Sequence, residues 1–174
     1  MKEVLFKNMA GIEASTALKD LAIEKGKYFV VSAHREENVD IPKNFESLMN
    51  SLNKVAETYN MPIIFSTHPR TAKRIKESKI KLNPLIRNLE PLGFFDYVNL
   101  QMNAYCVLSD SGTIPEESDI LNFPGISLRT STERPEALDA GSIVLGGINE
   151  KDILNAIELA VNAKEERTEN LVKD

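Results

Sequence analysis

The chain has 174 residues, 42% hydrophobic and 27% charged, with a formal net charge of −5, which fits one domain burying roughly 70% of its unfolded surface. Its Lys and Arg residues are scattered, so a basic face for nucleic acid is not expected, and no apolar run approaches the roughly 20 residues that span a bilayer. A lone Cys106 rules out an internal disulfide and disfavours a cysteine-based zinc site, and the start of the chain shows no signal peptide, so a cytoplasmic protein with no membrane partner, metal or cofactor is expected.

In chain order, a helical stretch is followed by "KYFVVSA" (27–33), an apolar run that reads as a buried strand. Phe45, Leu48, Met49, Leu52, Val55, Ala56 and Tyr59 then recur at i, i+3, i+4 and i+7, the core stripe of an amphipathic helix. Further strands are expected at "PIIFST" (62–67), more weakly at "PLIRNLE" (84–90), and at "YCVLSD" (105–110), "GISLR" (125–129) and "SIVLGG" (142–147). A last helix near 150–165 carries Ile153, Leu154, Ile157, Ala160 and Val161 on one face. Regular alternation of strand and helix predicts an α/β fold: a doubly wound, Rossmann-like parallel sheet formed by residues 1–174 as one domain, with no repeats or long linker.

In such sheets ligands bind beyond the carboxyl ends of the strands, which directs attention to polar residues following apolar runs. "SAHREEN", "STHPR", "LSDSGT" and "LRTSTERPE" are such junctions. The only two histidines of the chain, His34 and His68, each follow a strand on the same predicted rim, beside Arg35 and Arg70.

"LSDSGTIPEES" (108–118) poses a conflict of charge. Ser109 to Thr113 lead into a helix expected near Ile114, where unpaired amides and the positive end of the helix dipole favour an anion. Gly112 allows close approach, and the hydroxyls of Ser111 and Thr113 can donate. An ordinary strand-to-helix turn with a hydroxyl cap is the alternative. The two acids that follow should repel an anion, unless Glu116 folds back on Thr113 as a capping box and Glu117, turned by about 100°, serves another purpose. A nucleotide reconciles the two, with its diphosphate at the helix start and its ribose hydroxyls at Glu117.

"SAHREENVD", "STHPRT", "SDSGTIPEES" and "TSTERPEALDAG", in that order, resemble the C-terminal domain of the non-hydrolysing UDP-N-acetylglucosamine 2-epimerases over roughly residues 25 to 165. The resemblance implies one half of a B-type glycosyltransferase architecture, a UDP-sugar substrate held between two domains, and a homodimer of the full-length form. It implies that Ser111, Gly112 and Thr113 cradle the diphosphate, Glu117 holds the ribose, Arg134 faces the phosphates, and His34 stands by the sugar and leaving group. Arg35 and His68 join the substrate-binding set, and Tyr97 of "GFFDYVNL" takes the place of an aromatic near the uracil. The plainer alternatives are a core Tyr97, an Arg134 paired with Glu133 or Glu136, and an ion-pair loop of Arg35, Glu36 and Glu37.

The reaction so implied interconverts UDP-N-acetylglucosamine and UDP-N-acetylmannosamine by loss of the C2 proton, anti elimination of UDP and re-addition of UDP, with the proton returned to C2 on the opposite face. The family's acid and base carboxylates belong to its N-terminal domain, so this chain is expected to bind UDP or UDP-sugar weakly and not to turn over. Where many members read Ser-Gly-Gly the chain has Ser-Gly-Thr, a variant shared with relatives acting on 6-deoxy sugars, which leaves the C6 substituent open. A B-type glycosyltransferase donor domain is less well matched, since "EESDILNF" lacks the Glu-x7-Glu spacing of those enzymes. A non-catalytic nucleotide-sugar sensor and a hydrolysing epimerase remain as alternatives.

Overall fold

Residues 2–129, 137–138 and 142–173 are described by a computed structural model. Three short helices, α1 (Lys2–Lys7), α2 (Met9–Glu13) and α3 (Ala17–Asp20), precede β1 (Phe29–Ser32). Then follow α4 (Glu36–Val39), α5 (Pro42–Tyr59), β2 (Ile63–Ser66), α6 (Pro69–Glu77), β3 (Ile86–Leu89), α7 (Phe94–Asn103) and β4 (Cys106–Ser109). The chain continues through α8 (Ile114–Leu121), β5 (Pro124–Leu128), β6 (Ala137–Leu138), β7 (Ser142–Gly146) and α9 (Glu150–Lys173).

Each of the six apolar runs forms a strand of one sheet, ordered β3-β2-β1-β4-β5-β7-β6. All neighbours pair in parallel except β6, which runs antiparallel to β7. Alternate residues of β1 feed opposite faces, as the period of two requires. Phe29 and Val31 join a core with Leu48, Leu52, Phe65, Ile153 and Ile157 from α5, β2 and α9. Tyr28 and Val30 join a second core with Leu100, Val107, Ile114 and Phe123 on the other side of the sheet. Because both faces are covered, the inner strands are apolar over most of their length, which is why they stand out as runs, whereas the edge strand β3 carries Arg87 and an exposed Asn88 and reads more weakly. Leu5 and Ile12 of α1 and α2 pack on Val98 of α7 in a third cluster.

The α5 stripe lies where its spacing put it, with Pro42 opening the helix and Asn60 closing it in the left-handed conformation at φ 52°. Gly125 is required for strand packing, since a Cβ there would lie 2.8 Å from the Val107 carbonyl oxygen and 2.7 Å from Ile143 Cδ1. The two-residue β6 was not anticipated; so short an edge strand has no apolar run or period to reveal it.

Order reverses at β1: β2 and β3 lie to one side of it, and β4, β5 and β7 to the other. This is the switch point of a doubly wound sheet, where the two crossovers diverge and open a crevice at the strand ends.

Candidate functional site

Ser32 and Ser109 are in register at the carboxyl ends of β1 and β4, so the loops that follow them face each other across the crevice. Asp110 joins the two loops. Its side chain is fully buried and accepts from the His34 amide at 2.9 Å, the Arg35 amide at 2.9 Å and the Asn38 side-chain amide at 3.0 Å, and its Oδ1 lies 3.0 Å from Nδ1 of His34. Its own amide donates to the Ser32 carbonyl at 3.2 Å. A buried carboxylate is stable only when hydrogen-bonded in this way.

Arg35 returns the contact, its Nε donating to the Asp110 carbonyl at 2.6 Å. That bond carries the guanidinium over the next loop, with Nη2 3.6 Å from the point where a Cβ on Gly112 would sit. The anticipated ion-pair loop is present in part: Arg35 Nη1 lies 3.7 Å from Glu37 Oε1.

The β4–α8 loop is closed by Ser111, whose hydroxyl accepts from the Thr113 amide at 3.4 Å and whose carbonyl accepts from the Ile114 amide at 3.5 Å. Both bonds are long, and the exposed Gly112 amide has no protein partner among the described residues. The hydroxyls of Ser111 and Thr113 lie 3.1 Å apart. Weakly held amides at a helix start, two hydroxyls and a guanidinium make a site suited to an anion.

The Thr113–Glu116 capping box is not formed. Thr113 holds a near-helical backbone, φ −94° and ψ −5°, and makes no side-chain cap bond, because a capping side chain needs an extended backbone to reach the next amides. Its hydroxyl turns instead to Glu117, donating to Oε1 at 3.0 Å. Glu117 is half-buried and also bonds the Gln101 side chain. Burial raises its pKa above the ordinary carboxylate value, opposed by the Thr113 and Gln101 bonds and assisted by the nearby charge of Glu116.

Tyr97 reaches the site from below. Its ring packs against the second core cluster, and its hydroxyl bonds the Ser32 and Gln101 side chains. Burial, above all, pushes its pKa up to about 12, so the phenol is a neutral hydrogen-bonding group. His68 caps α6, its Nδ1 accepting from the Arg70 amide at 3.1 Å. Arg70 is engaged by Asp40 at 2.5 Å. Arg134, with Glu133 and Glu136, lies outside the described residues.

The switch point thus brings together His34, Arg35, Ser111, Gly112, Thr113 and, one turn into α8, Glu117. His68 shares the rim but is tied to its own helix. Asp110 and Gln101 were missed by reading the sequence: Asp110 sits inside the "SDSGT" stretch already singled out, whereas Gln101 has no local signal. Among the described residues, no group of three or more His, Cys, Asp or Glu side chains is placed to hold a metal ion, and no helix is long and apolar enough to cross a membrane.

Comparison with known proteins supplies an independent line. The protein family described as UDP-N-acetylglucosamine 2-epimerase matches residues 1–173. The UDP-N-acetylglucosamine 2-epimerase of Methanocaldococcus jannaschii is 40% identical over 141 residues, which is 79% of this chain and 38% of that protein. The solved structure of UDP-N-acetylglucosamine 2-epimerase from Rickettsia bellii superimposes with a TM-score of 0.77 at 41% identity, over 92% of this chain and 42% of that one. The Methanocaldococcus jannaschii enzyme in complex with UDP-GlcNAc and UDP superimposes with a TM-score of 0.78 at 31% identity, over 99% of this chain and 53% of that one. The chain therefore spans about two fifths to one half of the length of these relatives.

Proposed function

Because the chain belongs to the UDP-N-acetylglucosamine 2-epimerase family, we propose that it is the nucleotide-binding, C-terminal domain of an enzyme that interconverts UDP-N-acetylglucosamine and UDP-N-acetylmannosamine. The diphosphate rests on the loop of Ser111, Gly112 and Thr113, with Arg35 and Arg134 as its cations. Glu117 accepts from the ribose hydroxyls, and His34 stands at the sugar and the leaving phosphate. The observation that carries this reading is the guanidinium of Arg35 held beside Gly112, with a carboxylate one turn further along α8. Cation and open amides suit the phosphates, and the acid is set back far enough to serve a sugar.

In the reaction, a base removes the proton from C2 of the sugar while the bond between C1 and the diphosphate oxygen breaks and its electron pair leaves with UDP. The product of this step is the 1,2-unsaturated sugar. UDP then adds back to C1, and C2 takes a proton on the opposite face. This domain supplies preformed dipoles and cations to the charge that develops on the diphosphate. The acid and base are assigned to the remainder of the longer enzyme, so this chain binds UDP without epimerising UDP-sugars.

Calorimetric titration of UDP tests the assignment. Wild type is expected to bind saturably, and Arg134→Ala and Glu117→Ala each to bind about ten- to a hundredfold more weakly, the usual cost of losing a charged hydrogen-bonding partner. Absence of saturable UDP binding to wild type sinks the reading. Turnover of UDP-N-acetylglucosamine by the purified chain would sink the division of labour and redirect attention to Glu36 and Glu37.

A further inference from the structure

The two histidines use the same ring nitrogen in opposite senses. Nδ1 of His68 accepts from the Arg70 amide, so a neutral His68 carries its proton on Nε2. Nδ1 of His34 faces Oδ1 of Asp110 at 3.0 Å. Every other group that meets this carboxylate is a donor: two backbone amides and the Asn38 side-chain amide. An imidazole nitrogen with a lone pair would be repelled there, so His34 must carry its proton on Nδ1. The Asp110 side chain has no exposure, whereas that of His34 is 56% exposed, and Nε2 of His34 has no protein partner among the described residues.

We propose that Asp110 is a positioning residue: its buried carboxylate fixes His34 as the Nδ1–H tautomer, so that an unprotonated Nε2 is presented beside the loop of residues 111–113. The same carboxylate holds the amides of His34 and Arg35, so ring orientation and the path of the β1–α4 loop have one origin. An Nε2 with a free lone pair can take up a proton, and once protonated it can donate to an anionic oxygen while Asp110 faces the positive ring from behind. In the opposite tautomer Nε2 would carry a hydrogen and could accept nothing. That use of the ring rests on the proposed site for the nucleotide sugar; the tautomer does not.

Long-range proton–nitrogen NMR of the imidazole rings, at alkaline pH where unperturbed histidines are neutral, reads the tautomers directly. His68→Asn leaves a single ring and so assigns the His34 signals. The expected result for wild type is Nδ1–H at His34 and Nε2–H at His68. In Asp110→Asn the single carbonyl oxygen is best turned to the amides of His34 and Arg35, leaving the NH2 group to face Nδ1. His34 should therefore switch to Nε2–H while His68 keeps its pattern. Nε2–H at His34 in wild type, or an unchanged His34 pattern in a folded Asp110→Asn, overturns the proposal. Should Asp110→Asn fail to fold, the wild-type spectrum alone decides. Because UDP affinity is not read, failure of the nucleotide assignment would leave this result standing.

Discussion

The Thr113 hydroxyl donates to Glu117 Oε1 at 3.0 Å across the first turn of α8, so the residue at the start of the helix is engaged by the residue proposed to hold the ribose. Burial raises the Glu117 pKa from its ordinary value of 4.5, against the pull of that bond and of Gln101. Between 4.5 and the raised folded value the native state binds more protons than the unfolded one. Stability therefore falls as pH rises through that window, and the cost is complete above it. Glu117→Gln removes the buried charge, and its NH2 group can donate to Thr113 Oγ1. Its melting temperature should exceed that of wild type at neutral pH, with the gain vanishing below pH 4.5. UDP affinity should nevertheless fall about tenfold, because a charged acceptor is lost. Thermal scans across pH, paired with titrations at pH 7, check both halves; a gain that persists in acid contradicts the assignment.

Gly112 separates the needs of the fold from those of a ligand. Its φ is not positive, and a Cβ would meet only Arg35 Nη2, at an ordinary 3.6 Å. Gly112→Ala should thus leave stability unchanged or raise it by about 0.4–1 kcal/mol through the unfolded state. The added methyl group occupies the space between the guanidinium and the loop, where the diphosphate is placed, and should weaken UDP binding by about tenfold or more. Gly125→Ala should do the reverse and fail on stability, since its Cβ would strike the Val107 backbone. Denaturant melts and UDP titrations of the two variants distinguish these outcomes.

What could be read in advance follows from how local each signal is. The six strands and the α5 stripe were legible because burial on both faces of a parallel sheet, or on one face of a helix, imposes a composition on consecutive residues. That "SAHREEN" and "SDSGT" follow strands, and so lie on the carboxyl rim, was legible for the same reason, whereas their meeting at the switch point depends on the strand order and the β1–β4 pairing seen in the structure. Asp110 was not legible as the tie between those loops, because its partners His34, Arg35 and Asn38 lie more than 70 residues away and only the β1–β4 pairing brings them near. The capping box failed for a different reason. Thr-x-x-Glu specifies residue types, whereas the bond depends on the backbone angle at Thr113, which the turn at Ser111 had already set.

Tyr97 offers a test in which pH dependence distinguishes a buried phenol from a surface one. Tyr97→Phe removes a hydroxyl bonded to Ser32 and Gln101 and should cost about 0.5–1.5 kcal/mol. With the folded pKa pushed up to about 12 from an ordinary 10, the phenol is protonated in both folded and unfolded states below about pH 9. The difference between the two proteins should therefore be flat from about pH 6 to 9. Above 10 the unfolded state loses the proton first, so wild type loses stability and the gap narrows. Chemical denaturation across this range supplies the measurement, and a gap that stays constant as pH rises above 10 contradicts the buried placement.

His68 makes the corresponding case for a residue whose bond is local. Its Nδ1 closes the start of α6 against the Arg70 amide, and Pro69 follows it in the first turn, a pairing that presets the helix and needs no amide from the proline. The same turn is tied down separately, with Thr71 Oγ1 donating to the Ala33 carbonyl at 3.3 Å, so loss of the cap should weaken the helix start without releasing the helix. His68→Ala is expected to lose about 0.5–2 kcal/mol. His68→Asn, whose side-chain oxygen can accept the same amide, should recover most of it. If Ala and Asn variants melt together, the cap contributes nothing and the ring must be retained for another contact on the rim.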